Sequence, residues 1–286
     1  MTTSGEAAAP WVVSVRAPDG PGLVADIAAA VVRAGGNILD VGQHSDLETR
    51  SFGCRLEVDG AVDRELLEAA LADAASRREL AWIVHDENRR PRVVLACSST
   101  LHCVSDRLAR VAIGSLACDV VGVVSDRLEA APIARAFGIP FEHLPVGEDR
   151  PEQEARLATT IDRFAPDLVV LARYMRILPS AITDAWSERM INIHHSFLPA
   201  FAGAGPYARA WERGVKLIGA TAHYVTAGLD EGPIIVQDVV RVSHRDRVDD
   251  LVRRGADIER TVLAAAVRLH LEHRVMVFGN RTCVFD

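Results

Sequence analysis

Residues 93–97, 120–124, 168–172 and 190–194 form four short runs that are almost wholly apolar, and segments of helical periodicity separate them. A strand with one solvated face alternates apolar and polar residues; these runs do not, so each is expected to be buried on both faces. Helices are read at about 104–113, 128–137, 152–164 and 179–186. Strands alternating with helices in this way predict a doubly wound, mostly parallel Rossmann-like α/β domain over residues 92–286. Ligands of such sheets lie beyond the carboxyl ends of the strands.

Upstream the order changes to strand, helix, strand, strand, helix, strand. A β-rich run at 11–15 leads into the turn Ala17-Pro18-Asp19-Gly20-Pro21-Gly22 and a helix at 23–33, with Leu23, Ile27, Ala30 and Val31 on one face. Strands are read at 37–41 and 51–58 around Glu48-Thr49-Arg50, then a helix at 63–77 and a strand at 81–85. Such a βαββαβ order predicts an antiparallel sheet backed by two helices, a ferredoxin-like domain over residues 1–86. The charged, proline-terminated stretch at 87–91 reads as the linker.

Composition narrows the function. The net charge of −7 lacks the basic face of a nucleic-acid binder. Five scattered cysteines with no C-x-x-C pair argue against a disulfide framework or a structural zinc site. The first ten residues lack the basic start and apolar stretch of a signal peptide, and no run is long enough to span a membrane, so a cytoplasmic location is expected. There is no G-x-G-x-x-G and no G-x-x-x-x-G-K-[ST], so neither a dinucleotide cofactor nor a nucleotide triphosphate is indicated.

The densest polar cluster in an apolar setting is Asn192-Ile193-His194-His195-Ser196-Phe197-Leu198-Pro199. In a strand Asn192 and His194 share a face, and His195 takes the other unless the strand has already ended. Residues 218–225 read as a further strand leading to Leu229-Asp230-Glu231-Gly232-Pro233. An asparagine amide can donate to a developing oxyanion, an imidazole can carry protons, and a carboxylate can orient that imidazole or a water. On its own, N-x-H on a buried strand is more often structural.

Two resemblances alter that reading. Asp19-Gly20-Pro21-Gly22 and Gly36-Asn37-Ile38 resemble the ligand loop of ACT domains, which implies regulation or assembly and an amino-acid effector, glycine or methionine, near Asp19, Gly22 and Asn37. From about Arg92 onward the chain resembles the folate-dependent formyltransferase fold through Asn192-Ile193-His194, Ser196-x-Leu198-Pro199 and Leu229-Asp230-x-Gly232-Pro233-Ile234. It is most similar to the formyltetrahydrofolate deformylase branch, through His194 to Phe201, Gly203-Ala204-x-Pro206-Tyr207, Arg213-Gly214-Val215-Lys216 and the phrase from Gly219 to Val225.

The resemblance implies hydrolysis of 10-formyltetrahydrofolate by water to formate and tetrahydrofolate, feeding purine synthesis and balancing the one-carbon pool, with no cofactor besides that substrate. It implies Asn192 on the oxyanion and His194 and Asp230 handling protons, without deciding which is the base. It places Met175-Arg176-Ile177-Leu178 against the pterin, chiefly through backbone. Residue by residue, Arg173 and Arg176 could equally lie on a solvated helix face. His102, Cys103 and Asp106 match a deformylase phrase; His102, Cys103, His195 and His223 are further pocket candidates, and a nucleophilic Cys103 is disfavoured. A homo-oligomer is expected. The competing readings are formyl transfer to an amine, a metal hydrolase, and a catalytically silent metabolite sensor.

Overall fold

The computed structural model describes residues 9–147, 150–200 and 205–285; Met1 to Ala8, Phe201, Gly203 and Ala204 of the stretches read above lie outside them. The chain divides into two compact units, one comprising residues up to Arg90 together with Glu272–Asp286, the other Pro91–Leu271.

In the first unit, β1 (Trp11–Pro18), α1 (Leu23–Arg33), β2 (Ile38–Asp46), β3 (Ser51–Val58), α2 (Arg64–Arg77) and β4 (Ala81–Asp86) follow the expected order. The sheet order is β2-β3-β1-β4, and all three pairings are antiparallel. Leu23, Ile27, Ala30 and Val31 are the buried residues of α1. Asp63 caps α2 by accepting from the Leu66 backbone N–H at 3.1 Å.

The second unit runs β5 (Arg92–Cys97), α3 (His102–Ala112), β6 (Asp119–Ser125), α4 (Ala131–Ala136), β7 (Phe141–His143), α5 (Arg150–Phe164), β8 (Leu168–Leu171), α6 (Ser180–Ala185), β9 (Met190–His194), α7 (Pro206–Arg213), β10 (Leu217–Tyr224), β11 (Ile234–Arg241) and α8 (Val248–Leu271). Its seven strands lie in the order β11-β10-β9-β8-β5-β6-β7. The strands β5 to β9 pair in parallel, while β10 and β11 are antiparallel. Every residue of β8 is buried, as its unbroken apolar run requires. The chain winds outward from β5 in one direction and from β8 in the other, so the topological switch point falls between them.

One boundary differs from the sequence expectation. Residues 272–286 do not belong with 92–271. The hairpin β12 (Val275–Phe278) and β13 (Arg281–Val284) joins the first unit instead. Gly53 of β3 has no side chain because the space is taken: an added Cβ would lie 2.3 Å from Met276 Sδ and 2.6 Å from Phe278 Cζ. Gly42 of β2 leaves the same kind of room for Phe285, and Arg281 reaches Asp46 at 2.7 Å. No periodicity signals this, because a four-residue hairpin strand is too short to declare its partner. Among the described residues no helix is long and apolar enough to cross a membrane.

Candidate active site

The strands β8 and β9 run side by side, with Leu171 level with Asn192. Asn192 and His194 leave the same face of β9, and both line a cleft of about 250 Å³ beyond the carboxyl ends of these strands. The strand ends at His194, so His195 escapes the alternation and lines the same cleft, its ring 5.0 Å from that of His194. Antiparallel β10 sets His223 directly opposite Asn192. The turn after β10 contributes Asp230, held at φ 57°, a left-handed conformation that Asp tolerates better than most residues.

These side chains fix one another's protons. His223 Nδ1 faces the Tyr224 carbonyl at 2.8 Å and must donate to it. In the neutral ring Nε2 is then an acceptor, and Asn192 Nδ2 donates to it at 3.2 Å. That leaves the second Asn192 N–H for a ligand oxygen. His194 Nδ1 lies 3.2 Å from Asp230 Oδ2 and His223 Nε2 lies 3.7 Å from Oδ1. With Nδ1–H committed to Asp230, the His194 Nε2 lone pair remains; it is buried and has no hydrogen-bond partner among the described residues. Burial works to raise the Asp230 pKa, but the hydrogen bond from His194 outweighs it and holds the carboxyl well below the usual range. Burial, reinforced by the charge of Arg173, lowers His195 to about 4, so this ring is neutral near pH 7.

The loop after β8 lines the cleft with Arg173, Tyr174, Met175, Arg176, Ile177 and Leu178. None of them lies on a helix, so the solvated helix face considered for Arg173 and Arg176 does not arise. The Arg176 guanidinium is drawn to Asp126 Oδ2, with Nε at 3.0 Å and Nη2 at 2.9 Å, and Met175 N–H donates to Ser98 Oγ at 3.1 Å. The side chains of Met175 and Ile177 are exposed where this loop borders the cleft. Thr221 pins the turn beyond β9: its hydroxyl donates to the Ser196 carbonyl at 2.9 Å and accepts from Leu198 N–H at 3.1 Å.

His102 and Cys103 do not line the cleft. His102 Nε2 lies 2.8 Å from Glu259 Oε2, and Tyr207 OH donates to Glu259 Oε1 at 2.6 Å. The donor atoms of His102, Cys103 and Glu259 lie within 4.8 Å of one another. This set does not suit a cation: the carboxylate already serves His102, Tyr207 and the nearby Arg173, and burial pushes the Cys103 thiol up to about 12. A thiol held so far from its anion is no nucleophile. Asp106 pairs with Arg107 and Arg110 instead of joining the site.

Glu259, Tyr207 and Thr221 are the polar contributors that sequence reasoning overlooked. A signal for Glu259 exists: it falls four residues after Gly255 and four before Leu263, within the buried stripe of α8. A carboxylate on an apolar stripe needs partners, and only the fold supplies them.

The turn carrying Asp230 has little freedom. A Cβ on Gly232 would come within 1.8 Å of the Tyr224 carbonyl oxygen. We expect Gly232→Ala to destabilise the protein by about 1–3 kcal/mol, the usual cost of overpacking, and to lower kcat by displacing Asp230. Denaturant unfolding beside steady-state rates checks this; unchanged stability would show that the turn yields freely.

A doubly wound sheet with an Asn–His–Asp constellation beyond its carboxyl ends defines a class, and the family described as formyl transferase matches residues 91–267, with an ACT domain matched over residues 11–74. Within that class the chain belongs to the formyltetrahydrofolate deformylase family. It is 48% identical over 275 residues to a formyltetrahydrofolate deformylase of Synechocystis sp., covering 95% of this chain and 96% of that one. The crystal structure of a formyltetrahydrofolate deformylase from Pseudomonas syringae pv. tomato superposes with a TM-score of 0.94 at 40% identity, covering 99% of this chain and 96% of that one. A glycinamide ribonucleotide transformylase 1 from Symbiobacterium toebii reaches a TM-score of 0.66 at 36% identity, but covers 69% of this chain against 95% of its own.

Proposed function

We propose that this protein hydrolyses 10-formyltetrahydrofolate to formate and tetrahydrofolate. The observation that carries the reading is the His194–Asp230 pair at 3.2 Å beside Asn192, in a cleft bordered by Met175 to Leu178. In this reading the pterin lies along that loop and presents its formyl group to β9. The free N–H of Asn192 donates to the formyl oxygen as it gains charge. His194 Nε2 takes a proton from the attacking water, while Asp230 holds the imidazole in the tautomer that leaves Nε2 basic. The same imidazole can return the proton to N10 as the C–N bond breaks. His223 supports Asn192, and neutral His195 forms a wall of the cleft.

Hydrolysis is favoured over transfer to an amine because the turn after β5, Ser98-Ser99-Thr100-Leu101, has no glycine to admit an acceptor's phosphate close to backbone N–H groups. The decisive measurement is formate release from 10-formyltetrahydrofolate with no amine present. Formate and tetrahydrofolate are expected in equal amounts; product that forms only when an amine is supplied would sink the assignment.

In the first unit, an amino-acid effector, glycine or methionine, fits the exposed loop of Asp19, Gly22 and Asn37. The Asp19 carboxylate there accepts from Ser45 Oγ at 2.9 Å, and Gly22 sits at φ 86°. Calorimetric titration with both amino acids is expected to give heat for one of them that Asp19→Ala removes; silence with both would remove the effector reading. The edge strands β2 and β4, with Val41 and Ile83 exposed, support a homo-oligomer. Light scattering would reveal a monomer if that is wrong.

A further inference from the structure

Arg173 lies two residues beyond β8 at the switch point of the sheet, where its carbonyl accepts from Ser98 N–H at 3.2 Å. It holds φ 64°, a left-handed conformation costly for any residue with a Cβ and natural for glycine. Its side chain is only 13% exposed and lines the cleft together with Asn192, His194 and His195. A guanidinium is an expensive group to keep in such a place unless it has partners.

Its partners are incomplete. Nε lies 3.5 Å from Glu259 Oε2, and neither Nε nor Nη1 has a hydrogen-bond acceptor among the described residues. The two oxygens of Glu259 are already engaged by His102 at 2.8 Å and by Tyr207 at 2.6 Å. Glu259 thus anchors the guanidinium by charge without consuming its donors. The result is a fixed cation at the wall of the catalytic cleft whose buried Nε and Nη1 lack acceptors among the described residues, and a planar guanidinium of this kind suits a carboxylate.

We propose that Arg173 is the anion-binding group of the cleft and holds formate, the carboxylate that hydrolysis creates. The inference rests on the hydrolytic reading above. In that reaction the water oxygen bonds to the formyl carbon and the C–N10 bond breaks. One water proton ends on N10, and the other is released as formic acid ionises to formate. Transfer to an amine would yield a neutral amide and no carboxylate, so a cation with unused donors serves the hydrolytic outcome specifically. The same charge repels a protonated amine and so disfavours that competitor for the formyl carbon. Arg173 is therefore a specificity residue that binds product and keeps water as the acceptor.

The test is equilibrium titration of the full-length protein with formate, in wild type, Arg173→Gly and Arg173→Gln. Glycine relieves the positive φ, and glutamine keeps much of the side-chain length without the charge; thermal unfolding verifies that each variant is folded. Both are expected to weaken formate binding by about tenfold or more, the loss of a charge-assisted pair, a factor clearly larger than any accompanying rise in KM for the formyl substrate. Formate affinity unchanged in either folded variant overturns the proposal, as does wild type that binds no formate, or a parallel rise of formate Kd and KM. The two readings separate cleanly. Wild type that releases no formate without an amine refutes hydrolysis; wild type that hydrolyses with formate affinity indifferent to Arg173 refutes only the anion site.

Discussion

Asp230→Asn is expected to lower kcat by about 10⁴-fold, the effect of the same exchange in a Ser-His-Asp triad, with folate binding largely retained. The substitution keeps the shape and, because Asn also accepts a left-handed backbone, should preserve the turn at φ 57°. What it removes is the acceptor that commits the His194 proton to Nδ1. An asparagine amide can donate to Nδ1 instead, which would move the proton to Nε2 and occupy the one buried atom left free to act as a base. Single-turnover rates beside equilibrium binding of tetrahydrofolate check this, and near-normal turnover would refute the role. The variant also predicts a difference in acid stability. The folded Asp230 pKa lies below its unfolded value, so its contribution is fully present above about pH 4 and is lost as pH falls through the folded value. The stability gap between wild type and variant should therefore shrink in acid; a gap that widens there would contradict the pairing with His194.

Asn192→Ala is the second large effect, a loss of about 10²–10³ in kcat, as for removal of one oxyanion donor. The amide is held from one side by His223, which is itself locked onto the Tyr224 carbonyl, so its remaining N–H needs no reorganisation to meet a developing charge. If Asn192 served merely to seat His223, then His223→Ala would cost as much. The expectation is a smaller loss there, about tenfold, because water can replace the imidazole behind the amide. Equal losses in the two variants, or an Asn192→Ala enzyme within about tenfold of wild type, would remove the oxyanion role.

Much of this arrangement can be read from residue order alone. The apolar runs around Val94, Val123, Val170 and Ile191 require burial on both faces, and that requirement carries the sheet type and the side on which a site must lie. The shared face of Asn192 and His194 follows from strand periodicity. Where prediction stops, the cause is specific. His195 joins the cleft because β9 ends one residue before it, and a strand's end is set by the following turn, which Thr221 and Gln237 hold from β10 and β11. Arg173 reads as a soluble cation; its burial depends on Glu259, eighty-odd residues away on a helix whose charged character hides a buried stripe. The placement of Asp230 near His194 is likewise a matter of tertiary structure, since no local rule couples a turn after β10 to a strand before α7.

The C-terminal hairpin has a consequence for how this protein can be made and taken apart. Met276, Phe278 and Phe285 fill hollows left by Gly53 and Gly42, so the earlier domain is completed by residues made only after the whole catalytic segment. The catalytic segment can collect its own core before release, while the sheet of the earlier domain must wait with one face uncovered. A nick or premature stop after Leu271 would spare every residue of the cleft and yet leave that apolar face open to water and to other chains. The first domain is therefore not a detachable module.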